Sequence, residues 1–518
     1  MHAHDATLAD LYRIPLGLLT DLYQLTMAYG YWREGSAERR AVFQLNFRKM
    51  PFGSGYAIAA GLGPALDYLE SLAFSPDDLA YLATLTGRDG QRLFPDAFLA
   101  YLGALRFTCD VDAVAEGHLV FAQTPLVRVT GPLLQAQLVE TALLNLVNFQ
   151  TLIATKAARV CDAARGDQVL EFGLRRAQGV DGSLAASRAA HLGGCHATSN
   201  VLAGRLYGIP VRGTHAHSWV MSHDSELEAF IAYADAMPNN CVFLVDTFDT
   251  LQGVAHAITV GRRLRAAGHE LAGIRLDSGD LAELSIHARA MLDEAGFDKA
   301  AIVASNDLDE SLIESLKHQG ARIDTWGVGT KLVTAYDQPA LGGVYKLAAL
   351  EARRPGEAGL PGGLEASPGH WDYKVKLSEQ PAKISVPGIL QVRRYLHDDG
   401  TPTGDVIYDT ELGCPERATL IDPNDATYRK TLAGAHVDLV TPQLRGGRRV
   451  APAEPLAALR ARAIEQTQRL APAYRRFLNP HRYPVGLEAA LWQRRNELVL
   501  AARAPDLEPP ARASQGDR

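Results

Sequence analysis

Arg275 and Asp277 stand two residues apart in Gly273-Ile-Arg-Leu-Asp-Ser-Gly-Asp-Leu281. Residues 272–276 read as a short buried strand, and on a strand this spacing puts both side chains on one face. A cation and an acid side by side where an apolar strand ends are costly unless they are paired or in use. Helical periodicity resumes at Leu281, with Ser278 or Asp280 as its cap, and the free N–H groups of a helix start suit an anion. The chemical reading makes Arg275 an anion clamp and Asp277 a ribose-binding or charge-stabilising carboxylate. The bland reading is an ion pair beside a routine cap.

Five other segments have the same character. They are Glu171-Phe-Gly-Leu-Arg175-Arg-Ala-Gln-Gly, Gly213-Thr-His-Ala-His-Ser218, Asp246-Thr-Phe-Asp-Thr250, Ser305-Asn-Asp307 and Gly327-Val-Gly-Thr330-Lys. The last offers glycines, a hydroxyl and backbone N–H groups to a phosphate, without Walker spacing; a simple strand-to-helix turn would look the same. Of Arg175 and Arg176, one can bind phosphate while the other makes a structural pair. His215 and His217 leave several readings open: a zinc site lacking its third ligand, a general base, a phosphorylated histidine, or one structural and one exposed side chain. Tyr23 lies beside an apolar stripe, where it either packs or stacks on a ring.

Each polar segment follows a short apolar run: 168–172, 209–214, 242–246, 272–277, 301–306 and 323–327, with a seventh run at 344–347. Helical stretches at 183–206, 225–236, 250–267, 281–295 and 310–317 separate most of them. Strands alternating with helices predict right-handed βαβ units and a parallel sheet. Six or seven units suit a (β/α) barrel, complete or not; an open doubly wound sheet is the alternative. Both place chemistry at the carboxyl ends of the strands.

Residues 1–15 read as a flexible lead. A helix is expected over 18–32, capped by Thr20, with Leu18, Leu22, Leu25 and Tyr29 as its stripe. Residues 41–48 alternate like a half-buried strand, and 56–62 can pair back on it as a hairpin. Helices follow over 64–104, two strands over 111–129 and a long helix over 133–164. After a loop at 353–363, strands at 373–377, 388–395 and 405–408 and helices at 453–474 and 487–503 suggest a smaller terminal unit. The Pro- and charge-rich end from Pro505 reads as disordered.

The 518 residues suffice for two or three domains. The net charge of −7 gives no reason to expect nucleic acid. Five scattered cysteines without a C-x-x-C pair suit free thiols in a reducing compartment. No signal-peptide pattern and no run of 18 apolar residues is seen, so a cytoplasmic protein without a membrane partner is expected.

Taken together, Thr20-Asp-Leu-Tyr23-Gln, Phe47-Arg-Lys-Met-Pro-Phe-Gly, the Glu171 segment, Gly213-Thr-His-Ala-His-Ser-Trp, Arg275-Leu-Asp-Ser-Gly-Asp and Gly327-Val-Gly-Thr330 resemble the nicotinate phosphoribosyltransferases, a type II phosphoribosyltransferase family. The resemblance runs over about residues 15–350 and weakens beyond. It implies an α/β protein: an N-terminal α+β domain (1–135), an irregular (β/α) barrel (136–350), a C-terminal α+β unit (351–503) and a disordered tail (504–518), paired as a homodimer. It also implies a reaction in which nicotinate and phosphoribosyl pyrophosphate give nicotinate mononucleotide and pyrophosphate, coupled to ATP with Mg²⁺, at the entry of nicotinate into NAD synthesis. By motif position, His217 would carry the phosphate and His215 would not. Tyr23, of the same or the partner subunit, and Phe172 would sandwich the pyridine ring. Arg275 and Thr214 would hold its carboxylate. Asp277 and Asp246 would hold the ribose and its pyrophosphate, Arg175 the pyrophosphate, and Gly329 and Thr330 the 5′-phosphate. The related nicotinamide-using enzymes carry an acid where Ser199 stands here; quinolinate phosphoribosyltransferases are shorter and lack a phosphohistidine. A non-catalytic nucleotide-binding barrel would show a broken site, whereas every expected polar position is filled.

Overall fold

The computed structural model describes residues 16–352, 371–380 and 383–503. The expected lead at 1–15, the loop at 353–363 and the tail from 505 lie outside these residues. The fold is mixed α/β and contains three large sheets.

The parallel sheet has six strands in the order Ala197–Thr198, Gln168–Glu171, Thr325–Val328, Ala301–Ala304, Gly273–Leu276 and Val242–Leu244. Their short apolar runs suit strands covered on both faces. Gly179–Leu192, Glu226–Ala236, Thr250–Ala266, Leu281–Glu294 and Glu310–His318 form the helices between them. Side chains of Ser225, Asp249, Asp280 and Asp309 cap four of these helices. The caps at Asp249, Asp280 and Asp309 each end a strand-to-helix connection, so capping there also holds the strand-end residues in place. Asp280, not Ser278, caps the helix after Leu276; the Ser278 hydroxyl donates to Asp246 instead.

Three sequence expectations change here. The run at 209–214 supplies only a bridge, Val211 to Thr198, so the barrel curls round without closing beside Val242–Leu244. The expected helix at 183–206 is broken by Gly193 and Gly194, the latter at φ 123°, a conformation open to glycine. Strand Ala197–Thr198 and a second helix, Val201–Tyr207, follow the break. The run at 344–347 is not a barrel strand: it lies in Gly343–Glu351, antiparallel to Arg40–Phe47.

Arg40–Phe47 sits inside a seven-stranded sheet between Gly343–Glu351 and Val127–Pro132. Both its faces are covered, so Ala41, Val42 and Gln44 are buried along with Phe43, Leu45 and Phe47, and the half-buried expectation fails. The buried Gln44 amide donates to the Gly388 carbonyl at 2.6 Å. The expected hairpin is absent, because Ala57–Ile58 pairs with Leu119–Val120. Residues 111–129 hold parts of three strands rather than two. The first long helix is Leu22–Arg33, without a side-chain cap; the Thr20 hydroxyl donates to Leu138 O at 3.3 Å. Its buried face is Gln24, Leu25 and Ala28, and Leu22 is exposed. Gln24 turns the helix inward, since its amide reaches Glu140 at 2.9 Å.

The third sheet, also six-stranded, comes from the terminal unit and includes Leu390–Leu396 and Pro402–Asp409. Trp371–Tyr373 does not join it, pairing instead with Gly343–Glu351. Leu456–Arg469 and Ala489–Arg503 are the long helices here.

Candidate active site

Four parallel-strand connections meet around Arg275. Its Nε donates to Ser305 Oγ at 2.8 Å, Nη1 to Thr214 Oγ1 at 3.1 Å and Nη2 to Asp277 Oδ1 at 2.9 Å. Ser305 Oγ also donates to Asp277 Oδ1. Three of the five guanidinium N–H groups are thus engaged, leaving one on each terminal nitrogen for a ligand. The guanidinium carbon lies 5.9 Å from the Phe172 ring centroid. That ring rests on the strand Thr325–Val328 at Gly327, where a Cβ would come within 2.7 Å of it.

Asp277 remains a carboxylate. Burial raises its pKa, but the bonds from Ser305 and Arg275 and the nearby charges outweigh that and hold it below its ordinary value. Its backbone N–H and the Ser278 hydroxyl donate to Asp246 Oδ2 at 2.9 and 2.6 Å. Asp246 Oδ1 is buried and has no hydrogen-bond partner among the described residues. A carboxylate oxygen left this way at a polar mouth suits a cation. Among the described residues no three His, Cys, Asp or Glu side chains cluster as a metal cage.

The two histidines separate sharply. His217 begins the short helix His217–Met221 and is partly exposed at the mouth. Its Nδ1 is 3.1 Å from Thr247 Oγ1 and its Nε2 is 3.8 Å from Asp277 Oδ2. His215 is buried, and its Nε2 accepts the Leu244 N–H at 3.2 Å. Burial, with Arg275 and His217 adding to it against the Ala216 carbonyl, pushes its pKa down to about 4.

Gly329 precedes the short helix Thr330–Val333; the Leu332 and Val333 N–H groups donate to the Gly329 carbonyl at 3.1 and 3.2 Å, and those of Thr330 and Lys331 have no intrahelical acceptor. Arg175 and Arg176 sit on the exposed turn Leu174–Arg176. Tyr23 is not gathered at this mouth: half exposed, it lines a shallow depression with Asn145, Asn148 and Leu341.

Several contributors carried no role in the sequence reading. Ser305 joins Arg275 to Asp277, and the two residues after it, Asn306 and Asp307, have φ of 96° and 37°, strain of the kind that gathers at functional sites. Buried Glu171 accepts from Gly173 N–H, Ser187 Oγ at 2.8 Å and Thr198 Oγ1 at 2.5 Å, fixing the turn that carries Phe172. Away from the barrel mouth, Arg48, Lys346 and Lys383 line a small pocket with Asn46 and Ser385. Burial and the charges of Arg48 and Lys376 lower the Lys346 pKa despite Glu140, a setting suited to an anion. Nothing short-range in the sequence joins these cations, which come from separate segments.

The profile of the nicotinate phosphoribosyltransferase (NAPRTase) family matches residues 168–353, and those of the NAPRTase N-terminal and C-terminal domains match 18–148 and 390–495. Nicotinate phosphoribosyltransferase of Bacillus subtilis is 43% identical, over 93% of this chain and 95% of its own. Nicotinate phosphoribosyltransferase 1 of Arabidopsis thaliana is 36% identical over 92% of each. The crystal structure of human nicotinic acid phosphoribosyltransferase superposes with a TM-score of 0.78 at 33% identity, covering 92% of this chain and 99% of the human one.

Proposed function

The chain belongs to the nicotinate phosphoribosyltransferase family and is an enzyme of that type; from this premise we propose how its residues divide the work. The reaction transfers phosphoribosyl from phosphoribosyl pyrophosphate to nicotinate, giving nicotinate mononucleotide and pyrophosphate and feeding NAD synthesis. The observation that carries the substrate assignment is the Arg275 fork, held above the Phe172 ring with two N–H groups to spare. A flat ring bearing a carboxylate satisfies both features, through a bidentate pair below and a π face beside it. Thr214 adds its hydroxyl to the carboxylate. A neutral carboxamide would bring no negative charge to this cation.

The phosphoribosyl donor lies with its 5′-phosphate at Gly329 and Thr330 and its pyrophosphate toward Arg175 and Asp246. The pyridine nitrogen lone pair forms the new bond to the anomeric carbon as the bond to pyrophosphate breaks, and that electron pair leaves with pyrophosphate. Positive charge builds on the anomeric carbon, where the ionised Asp277 stabilises it. Asp246, with its free Oδ1, would hold Mg²⁺, which when bound neutralises charge on the leaving pyrophosphate.

ATP enters through His217. With the ring proton on Nδ1 directed at Thr247, the Nε2 lone pair attacks the γ-phosphorus; the N–P bond forms and the bond to ADP breaks. The phosphohistidine is later hydrolysed. Tyr23, exposed away from this mouth, is assigned to the ring site of a second copy in a homodimer. The exposed Val201, Leu202 and Leu206 on helix Val201–Tyr207 support such pairing.

The test is turnover of nicotinate against nicotinamide with phosphoribosyl pyrophosphate, with and without ATP, together with γ-labelled ATP and peptide mapping. Nicotinate is expected to be the substrate, and His217→Ala to lose both the acid-labile label and the stimulation by ATP while keeping slow transfer. A label that persists in His217→Ala would overturn the phosphohistidine assignment.

A further inference from the structure

The parallel ladder stops at Val211, and among the described residues the facing edge of Val242–Leu244 has no strand beside it. On the opposite edge Val245 N–H donates to Arg275 O at 3.2 Å, while Leu244 N–H, one residue earlier, points into the gap. Nε2 of His215 receives it. Among the described residues, no backbone–backbone hydrogen bond joins residues 213–217 to any strand; the last such bond is Arg212 N–H to Thr198 O at 3.0 Å. This segment nevertheless carries Thr214, which touches Arg275, and His217, which faces Asp277.

We propose that His215 is a positioning residue: its imidazole replaces the missing strand-to-strand hydrogen bond and so sets Thr214 and His217 against the strands they serve. The proposal rests on the site roles given above. A ring that accepts from an amide must be neutral at Nε2, with its proton on Nδ1, where the Ala216 carbonyl lies at 3.4 Å. The surroundings hold it in that state and in place. His215 is only 8% exposed, and the rings of Phe230, Tyr233 and Phe243 surround it at centroid distances of 5.9, 5.0 and 6.3 Å. The aromatic pocket fixes the ring, the ring fixes the backbone at 215, and the two functional side chains lie one residue before and two after.

Two variants separate this role from packing. His215→Gln keeps an acceptor at nearly the reach of Nε2, whereas His215→Phe keeps the aromatic bulk and has none. Hydrogen–deuterium exchange of the peptide containing Leu244 reads the tie directly. It is expected to speed up about tenfold or more in His215→Phe and to stay within about threefold of wild type in His215→Gln. KM for nicotinate is expected to follow the same division, while KM for phosphoribosyl pyrophosphate moves little. Unchanged exchange in His215→Phe, or indistinguishable kinetics of the two variants, would overturn the proposal. If the wild type does not use nicotinate, the site reading fails, but exchange at Leu244 still decides the tie. Should His215→Phe not fold, His215→Asn, polar but too short to reach Leu244, gives the same comparison.

Discussion

Two Arg–carboxylate pairs of similar length occupy the molecule in different ways. Between Arg188 and Glu116, at 2.7 Å, the carboxylate is only 5% exposed and both its oxygens are taken. Glu116 accepts from both terminal nitrogens of Arg188 and from the Gly61 and Gly63 N–H groups, and Arg188 also reaches Gln150. A Cβ on Gly63 would sit 3.0 Å from Arg188 Nη2 and 3.1 Å from Glu116 Oε2, so the backbone packs directly against the pair. Between Arg275 and Asp277, at 2.9 Å, the carboxylate is 30% exposed, and neighbouring Asp246 keeps a bare oxygen. The saturated carboxylate ties the turn at Glu116, and through Gly61 and Gly63 the start of helix Leu62–Ser71, to the barrel helix Gly179–Leu192. The unsaturated pair has capacity in reserve, and unmet hydrogen-bonding capacity beside solvent marks a binding site.

Removing the cation from each pair tests that contrast most strongly. Arg188→Ala leaves Glu116 buried and uncompensated, so a loss of about 3–5 kcal/mol in unfolding free energy is expected by denaturant titration. The same substitution at Arg275 is expected to leave stability nearly intact. It should instead weaken nicotinate binding by about 2–5 kcal/mol, with phosphoribosyl pyrophosphate binding far less affected. Equal losses for the two ligands in a titration would remove the carboxylate-clamp role.

Acid gives a smaller, sharper version of the comparison. Burial raises the Glu116 pKa, but Arg188 and the two backbone N–H groups outweigh it and leave it below its ordinary 4.5. A depressed folded-state pKa means stability that is present above 4.5 and is lost as pH falls through the lower folded value. Asp277 behaves alike below its ordinary 3.8, but it is more exposed and tied to fewer elements. Melting temperatures from pH 6 to pH 3 should therefore fall less steeply in Glu116→Gln than in wild type, with Asp277→Asn changing the slope less. The reverse order would place the structural clamp at the mouth.

The mouth was legible in the sequence because each parallel strand is a short apolar run, and the first polar residues after it have nowhere to go but its carboxyl end. Arg275 and Asp277 stand out this way, as do the segments that hold Thr214 and Asp246, whose individual roles come from the family resemblance. The distinction between His215 and His217 is not visible in their spacing, since what separates their surroundings, the Leu244 amide and the rings of Phe230, Tyr233 and Phe243, comes from residues further along the chain. Ala197–Thr198 escaped because two residues carry no periodicity of their own within a helical pattern. The run at 344–347 looked like its neighbours, because an apolar strand does not state which sheet it joins. Tyr23 was legible as an aromatic beside a helix stripe, but its exposure depends on how that helix docks.

The strand Gly343–Glu351, so misread, has a consequence for synthesis of the chain. Arg40 meets Glu351 across 311 positions, and Thr441 reaches back to Ala113 across 328. The sheet that contains Arg40–Phe47 therefore waits for segments more than 300 positions further along before its edges are covered. Such long-range pairing folds slowly and leaves hydrogen-bonding edges open to other chains meanwhile. A fragment ending near residue 150, however well its profile match suggests an independent domain, would display those uncovered edges and aggregate rather than fold.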